Sequence, residues 1–125
     1  MILDTNAISA WAEDDRELLR ALRGDRLWYL PSIALGEYRY GVINSTRRET
    51  LERWLDQIEA ACVVLAPDAV TARHYAIIRD ELRRAATPIP YHDIWIAALA
   101  RQHGLEVVSR DGHFDHVPGL RRIRW

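Results

Sequence analysis

The sequence predicts a three-layer α/β fold with a central, mostly parallel sheet and helices on both faces. Two observations carry that prediction. Short apolar runs, such as Met1 to Leu3, Val63 to Leu65 and the "LEVVS" stretch from Leu105, alternate with longer segments of helical periodicity. Each connection between runs is also long enough for a crossover, which parallel strands require. A third observation concerns domain number: glycine and proline are spread evenly over the 125 residues, with no repeat, low-complexity tract or linker. One domain over residues 1–125 is therefore expected.

Taken in order, Met1 to Leu3 reads as a short buried strand. A helical stretch then ends at a Gly24-Asp25 turn, and "RLWYL", Arg26 to Leu30, reads as the second strand. Pro31-Ser32 starts a helix. "ETLERWLDQIEAAC" places Leu51, Trp54, Leu55, Ile58 and Cys62 on one helical face, and "VVL" is the third strand. Asp68 to Ala86 spaces Val70, Tyr75, Ile78 and Leu82 along one stripe, with arginines and acids on the other side. A further helix opens near His92-Asp93, carries Ile94, Ala97, Ala98 and Leu99, and stops at Gly104, a natural left-handed cap. After "LEVVS", the final "RRIRW" alternates as an edge strand, with Ile123 and Trp125 on one side.

Composition excludes several chemistries. All 17 basic residues are arginine, so no Schiff-base enzyme, no GxxxxGK nucleotide loop and no phosphoryl-transfer site built on aspartate plus lysine is available. The net charge of -1 gives no global field for nucleic acid or anionic lipid, so a polyanion has to be caught by local patches. A single cysteine, Cys62, forms no internal disulfide and reads as core. With no signal peptide or membrane-length apolar span, a reducing cytoplasm is the expected compartment.

Acids stand where a solvated surface pattern would not put them. Asp4 closes an apolar strand, Glu37 lies among aromatic neighbours in "SIALGEYRYGV", and Asp93 stands at the entry of an apolar helix. Asp111 follows the run that ends in Ser109, and Asp115 lies one turn later. Each has a structural alternative: a helix cap or Asx turn for Asp4, a macrodipole partner for Asp93, the turn former of Asp-Gly for Asp111, a solvated surface acid for Glu37. In a parallel sheet, however, ligands gather beyond the carboxyl ends of the strands, where Asp4 and Asp111 both fall.

Four carboxylates within ~5 Å of each other would repel by roughly 3 kcal/mol per pair at an effective dielectric near 20. Six pairs sum to more than the net stability of a domain. Something positive has to sit among them, and an all-oxygen donor set suits a hard divalent cation, Mg²⁺ or Mn²⁺. Such an ion acidifies bound water and withdraws charge from a phosphoryl oxygen, which points to phosphodiester hydrolysis.

"MILDTN", "EYRYG", "HDIWIAA" and "SRDGHFD", in this order over essentially the whole chain, resemble a PIN domain, and more narrowly the VapC toxins of bacterial toxin–antitoxin pairs. The resemblance implies a metal-dependent endoribonuclease with a PIN-like α/β/α fold, a homodimer held inactive by a small VapB-like antitoxin. It implies metal-site roles for Asp4, Glu37, Asp93 and Asp111, with Asp115 as a fifth acid ranked behind Asp111. Thr5 and Ser109 take supporting roles. Asn6 reads as a helix cap or an orienting partner for Asp4. The substrate class is RNA, with tRNA, rRNA and mRNA all open. His92 departs from the family pattern, in which the position before the third acid is often a small or amide residue.

The remaining candidate residues point less strongly to other chemistries. His113 and His116 lack the spacing of a zinc site, and no CxxC or HExxH occurs, so histidine ligation is not expected. His92, beside Asp93, is a candidate to touch a substrate phosphate. No GxSxG surrounds any serine. Most of the five tryptophans are expected in the core, an exposed one being able to stack on an RNA base or meet a partner, and the arginine pairs 47–48, 83–84 and 121–122 are expected on solvated faces, where any one could contact a phosphate backbone. The alternative function is a catalytically silent module of the same fold that holds RNA or a protein, which would not depend on metal. A flap-type DNA nuclease is disfavoured by the small size.

Overall fold

The structure is a computed structural model that describes residues 1–24 and 27–125. Five short strands, β1 (Ile2–Leu3), β2 (Tyr29–Pro31), β3 (Val63–Leu65), β4 (Val107–Val108) and β5 (Arg122–Ile123), form one sheet in the order β3-β2-β1-β4-β5. Every neighbouring pair is parallel, so the expected sheet is wholly rather than mostly parallel. Ile2, Leu3, Leu30, Val107 and Val108 are completely buried. Sheets covered by helices on both faces need such runs, because neither side of the strand meets water.

The helices follow the predicted periods. α1 (Thr5–Ala12) and α2 (Arg16–Ala21) lie between β1 and β2, where the sequence suggested one helical stretch. Asp14 separates them, its φ of 55° breaking the helical path, and Asp15 caps α2 by accepting from the Glu17 and Leu18 amides. α3 (Ser32–Ile43) and α4 (Arg48–Ala61) lead to β3. Trp11 of α1 meets Trp28 and Trp54 edge-on, and Tyr38 of α3 packs against the same Trp54. α5 (Ala69–Arg84) and α6 (Tyr91–His103) then cross to β4, and Tyr75 stacks on Trp95 between them at 4.2 Å. Gly104 ends α6 with φ 63°, as the pattern required.

Three features differ from the sequence reading. The second strand is Tyr29–Pro31, displaced toward the C-terminus from the expected Arg26 to Leu30; Arg26, and Asp25 of the expected Gly24-Asp25 turn, lie outside the described residues. Proline is tolerated at Pro31 because the strand gives way there to α3, which needs no amide donor at that point. Val70, placed on the buried stripe, is 43% exposed because the stripe of α5 runs through Thr71, Ile78 and Leu82 at helical spacing and leaves its neighbour Val70 to one side. The tryptophans are half-buried rather than enclosed.

Strand order fixes the position of any ligand crevice. The chain steps from β1 outward to β2 and β3, then returns to lay β4 on the other side of β1. The carboxyl ends of β1 and β4 therefore mark the switch point, the place where ligands gather in such sheets. After β4 a 3₁₀ turn, Gly112–His116, is pinned down by Phe114, which is fully buried.

Candidate active site at the β1–β4 switch point

Asp4 leaves β1 and caps α1: its amide donates to the Val108 carbonyl at 3.2 Å, and its carboxylate accepts from the Thr5 amide. Local structure thus explains why an acid is tolerated there. It does not explain the rest of its surroundings. Oδ2 of Asp4 also accepts from Ser109 Oγ at 2.6 Å and from Asn6 Nδ2 at 2.8 Å, and Asp4 is buried. Ser109 is a junction, since its hydroxyl accepts from Asn6 Nδ2 at 3.1 Å and from the Asp111 amide at 2.9 Å. Asn6 Oδ1 in turn accepts from the Arg110 amide at 3.1 Å. These side-chain bonds reinforce the backbone pairing that already joins the end of the first strand to the fourth.

The other acids converge from three directions. Asp93, buried in the first turn of α6, has Oδ2 at 2.9 Å from His113 Nδ1. Asp111 Oδ2 lies 3.0 Å from the same nitrogen, while Asp111 Oδ1 accepts from the His113 amide at 2.9 Å. Ligand atoms of Asp93, Asp111 and His113 all lie within 4.8 Å of one another. His92 Nε2 is 3.3 Å from Asp93 Oδ1 and 3.5 Å from Glu37 Oε1. Glu37, on α3, accepts from Thr5 Oγ1, so Thr5 links it to Asp4 through its own amide.

Electrostatics bears out the crowding. Burial raises the Asp4 carboxyl pKa to about 6, against the Ser109 and Thr5 hydrogen bonds that lower it; the charges of Asp93 and Asp111 push the same way as burial. Asp93 is raised as well, again first by burial, with the His113 hydrogen bond opposing and Asp111 adding to the rise. No arginine forms an ion pair with Asp4, Asp93 or Asp111 among the described residues; the basic side chains in direct contact with Asp93 and Asp111 are the imidazoles of His92 and His113. Oxygen donors prevail, exposed on one side through Glu37 and Asp111.

Asp4, Glu37, Asp93 and Asp111, together with Thr5, Asn6 and Ser109, belong to this one network of hydrogen bonds and close contacts, which His92 and His113 complete. Asp115 is placed differently. Both of its oxygens accept from Arg122, at 2.7 and 2.6 Å, and that guanidinium holds the carboxyl below the usual range. His113, set aside in the sequence for want of zinc spacing, sits between two of the acids. Its signal was the Asp-Gly-His turn, in which Asp111 captures the His113 amide and folds the ring back onto the carboxylates. The arginine pairs lie on polar surfaces as expected, Arg47 with Glu13, Arg48 with Glu52, Arg83 and Arg84 with Asp80, and Arg121 with Glu106; Arg122, whose side chain is only 11% exposed, is the exception.

A parallel sheet with acids converging at its switch point is the setting of a candidate hydrolytic site, and the PIN domain model matches residues 1–120. The chain belongs to the PIN domain family and, within it, to the VapC ribonuclease toxins. It is 33% identical to the tRNA(fMet)-specific endonuclease VapC of Salmonella typhimurium, the match covering 99% of this chain and 96% of that relative. VapBC2 from Rickettsia felis, crystallised bound to a DNA fragment from its promoter, superposes with a TM-score of 0.86 at 25% identity, covering 99% of this chain and 97% of the other. VapBC-5 from Mycobacterium tuberculosis, a member of the VapBC family of toxin–antitoxin systems, gives 0.78 at 27% identity, covering 99% and 97%. No helix among the described residues is long and apolar enough to cross a membrane.

Proposed function

We propose that this chain is a Mg²⁺- or Mn²⁺-dependent endoribonuclease toxin that hydrolyses RNA phosphodiester bonds and is neutralised by a VapB-like antitoxin. The carrying observation is the convergence of Asp93, Asp111 and His113 within 4.8 Å beside a buried Asp4 that pairs with no arginine among the described residues. The donor set fits a hard divalent ion, because carboxylate oxygens dominate and both buried acids have raised pKa values that a cation would relieve.

Asp4, Glu37, Asp93 and Asp111 would hold the ion, and Thr5, Asn6 and Ser109 would fix the carboxylates that do so. Bound there, the cation supplies an activated water and charge stabilisation at the phosphoryl group. The chain's own contribution is orientation: Ser109 Oγ and Asn6 Nδ2 leave Asp4 one arrangement of its oxygens, and the Asp111 amide is fixed by the same hydroxyl. Glu37, partly open to solvent and 3.5 Å from His92 Nε2, is placed to accept a proton from the attacking water. His92, half exposed at the mouth, is placed to meet the substrate phosphate.

Relatives named as VapBC complexes support an antitoxin partner, and the tRNA(fMet)-specific relative supports an RNA substrate. A homodimer is part of the proposal, with exposed Tyr40, Ile77 and Tyr91 available for contacts between copies. The test is cleavage of tRNA, rRNA and mRNA by the purified chain in Mn²⁺ or Mg²⁺, with single-stranded DNA as control. Cleavage should stop with chelator and return with metal. Cleavage indifferent to chelator, or RNA bound but never cut, would overturn the reading.

A further inference from the structure

The sequence raised Asp115 as a fifth acid, and the structure gives it another task. Arg122, on the last strand, places Nε and Nη2 on the two oxygens of Asp115 and extends Nη1 to the Ser109 carbonyl at 3.1 Å. The Ser109 amide donates to the Ile123 carbonyl at 3.1 Å, on the same strand. Every polar atom of Ser109 is thus committed: amide and carbonyl to β5, hydroxyl to Asp4, Asn6 and the Asp111 amide. Ser109 is completely buried, so water cannot substitute for a lost partner without the backbone moving.

We infer that Arg122 is a positioning residue for the acidic pocket, with Asp115 its counter-ion rather than a metal ligand. The guanidinium has a planar fork, and a bidentate carboxylate fixes its plane, so Asp115 aims the remaining nitrogen at the Ser109 carbonyl. A shift of that carbonyl moves the Ser109 hydroxyl, and with it one bond to Asp4 and the amide that sets Asp111. The C-terminal strand, whose described residues make no hydrogen bond to any of the four acids, thereby sets the spacing between two of them. β5 pairs only through Arg122 and Ile123, so the side-chain bridge reinforces a short edge strand at the point where the chain turns into the site. Opposite charge on Arg122 and Asp115 strengthens both bonds, and each group's pKa is displaced in the direction of its charged form.

The inference rests on the metal-site reading above, and the experiment separates the two. Wild type, Arg122→Gln, Asp115→Asn and the double variant are titrated with Mn²⁺ by calorimetry, assayed for kcat and KM on RNA, and melted. Arg122→Gln should weaken Mn²⁺ binding and kcat by about 10- to 100-fold, the range for residues that orient ligands from behind, while KM for RNA stays near wild type. Asp115→Asn should lose less, and the double variant should match Arg122→Gln, because the carboxylate acts only through the guanidinium. Asp115 is exposed, so its variant folds even if Arg122→Gln does not, and unchanged Mn²⁺ affinity and kcat in Asp115→Asn would overturn the inference. So would abolished Mn²⁺ binding in Asp115→Asn beside normal binding in Arg122→Gln, the pattern of a direct ligand. A lowered melting temperature with Mn²⁺ affinity and kcat intact would reduce the bridge to a stabilising contact and overturn it too. Failure of wild type to bind Mn²⁺ or cut RNA would instead overturn the proposed function.

Discussion

Asp4 and Asp68 have the same local task and opposite fates. Both are helix N-caps, Asp4 accepting from the Thr5 amide and Asp68 from the Val70 and Thr71 amides. Asp68 is exposed to water, completes a capping box with Thr71 and accepts further from Gln102 Nε2. Its carboxyl is lowered, chiefly by the Thr71 amide. Asp4 is buried between the ends of β1 and β4, with two more acids near, and its pKa rises to about 6. A helix cap stabilises its helix in either place; tertiary placement decides whether the charge is also a burden that a cation can relieve.

The strongest way to break this comparison is Asp4→Asn, which keeps the shape and removes the charge. RNA cleavage should fall by orders of magnitude while far-UV circular dichroism stays as in wild type. Full cleavage by the folded variant would remove Asp4 from the site.

Stability against pH sharpens the contrast next. For Asp4 the folded-state pKa lies above the unfolded value, so the proton is held more tightly when folded, and stability declines as pH rises through about 4 to 6. The displacement of roughly two units amounts to about 3 kcal/mol at neutral pH in metal-free protein. Asp4→Asn should therefore gain on wild type as pH is raised from 4 to 7 in chelator, measured by urea unfolding. Asp68 has the opposite sign: its lowered pKa gives stability that is present above the unfolded value and lost as pH falls through the folded one. A constant gap between Asp4→Asn and wild type across that range would show that Asp4 is not strained.

Ser109→Ala tests the junction. It removes a bond that lowers the Asp4 pKa, leaves the Asp111 amide without its acceptor, and should reduce cleavage about 10- to 100-fold. The smallest effect belongs to Asp68→Ala, which should lower the melting temperature by a few degrees through loss of the cap and leave cleavage of RNA unchanged.

Much of this was legible in the residues. Asp4, Asp93 and Asp111 each break an apolar or turn pattern at a strand or helix boundary, and a parallel sheet brings strand ends to one edge. The five runs read as strands are all present; burial on both faces marks β1 and β4, whereas the edge strands β3 and β5 are only partly buried and were legible from the apolar run of one and the alternation of the other. What escaped depends on contacts between distant elements. Nothing near Asp115 in the sequence says that Arg122 will return beside it from an edge strand, since that pairing arises only when β5 aligns with β4. His113 was masked for a related reason: ligand-spacing rules compare neighbours along the chain, whereas Asp93 reaches it from α6. The boundary of the second strand slipped because "RLWYL" and "YLP" are equally apolar, and only the partner Val63 to Leu65 chooses between them.

The central claim is that the acids around Asp4 form one site that a divalent ion occupies. Calorimetric titration of the metal-free chain with Mn²⁺, run at pH 5.5 and 8 in buffers of different ionisation enthalpy, tests it most directly. The account predicts saturable binding with release of a proton at pH 5.5, little release at pH 8, and no comparable binding by Asp4→Asn. Equal Mn²⁺ uptake by Asp4→Asn and wild type, or none by either, would contradict it.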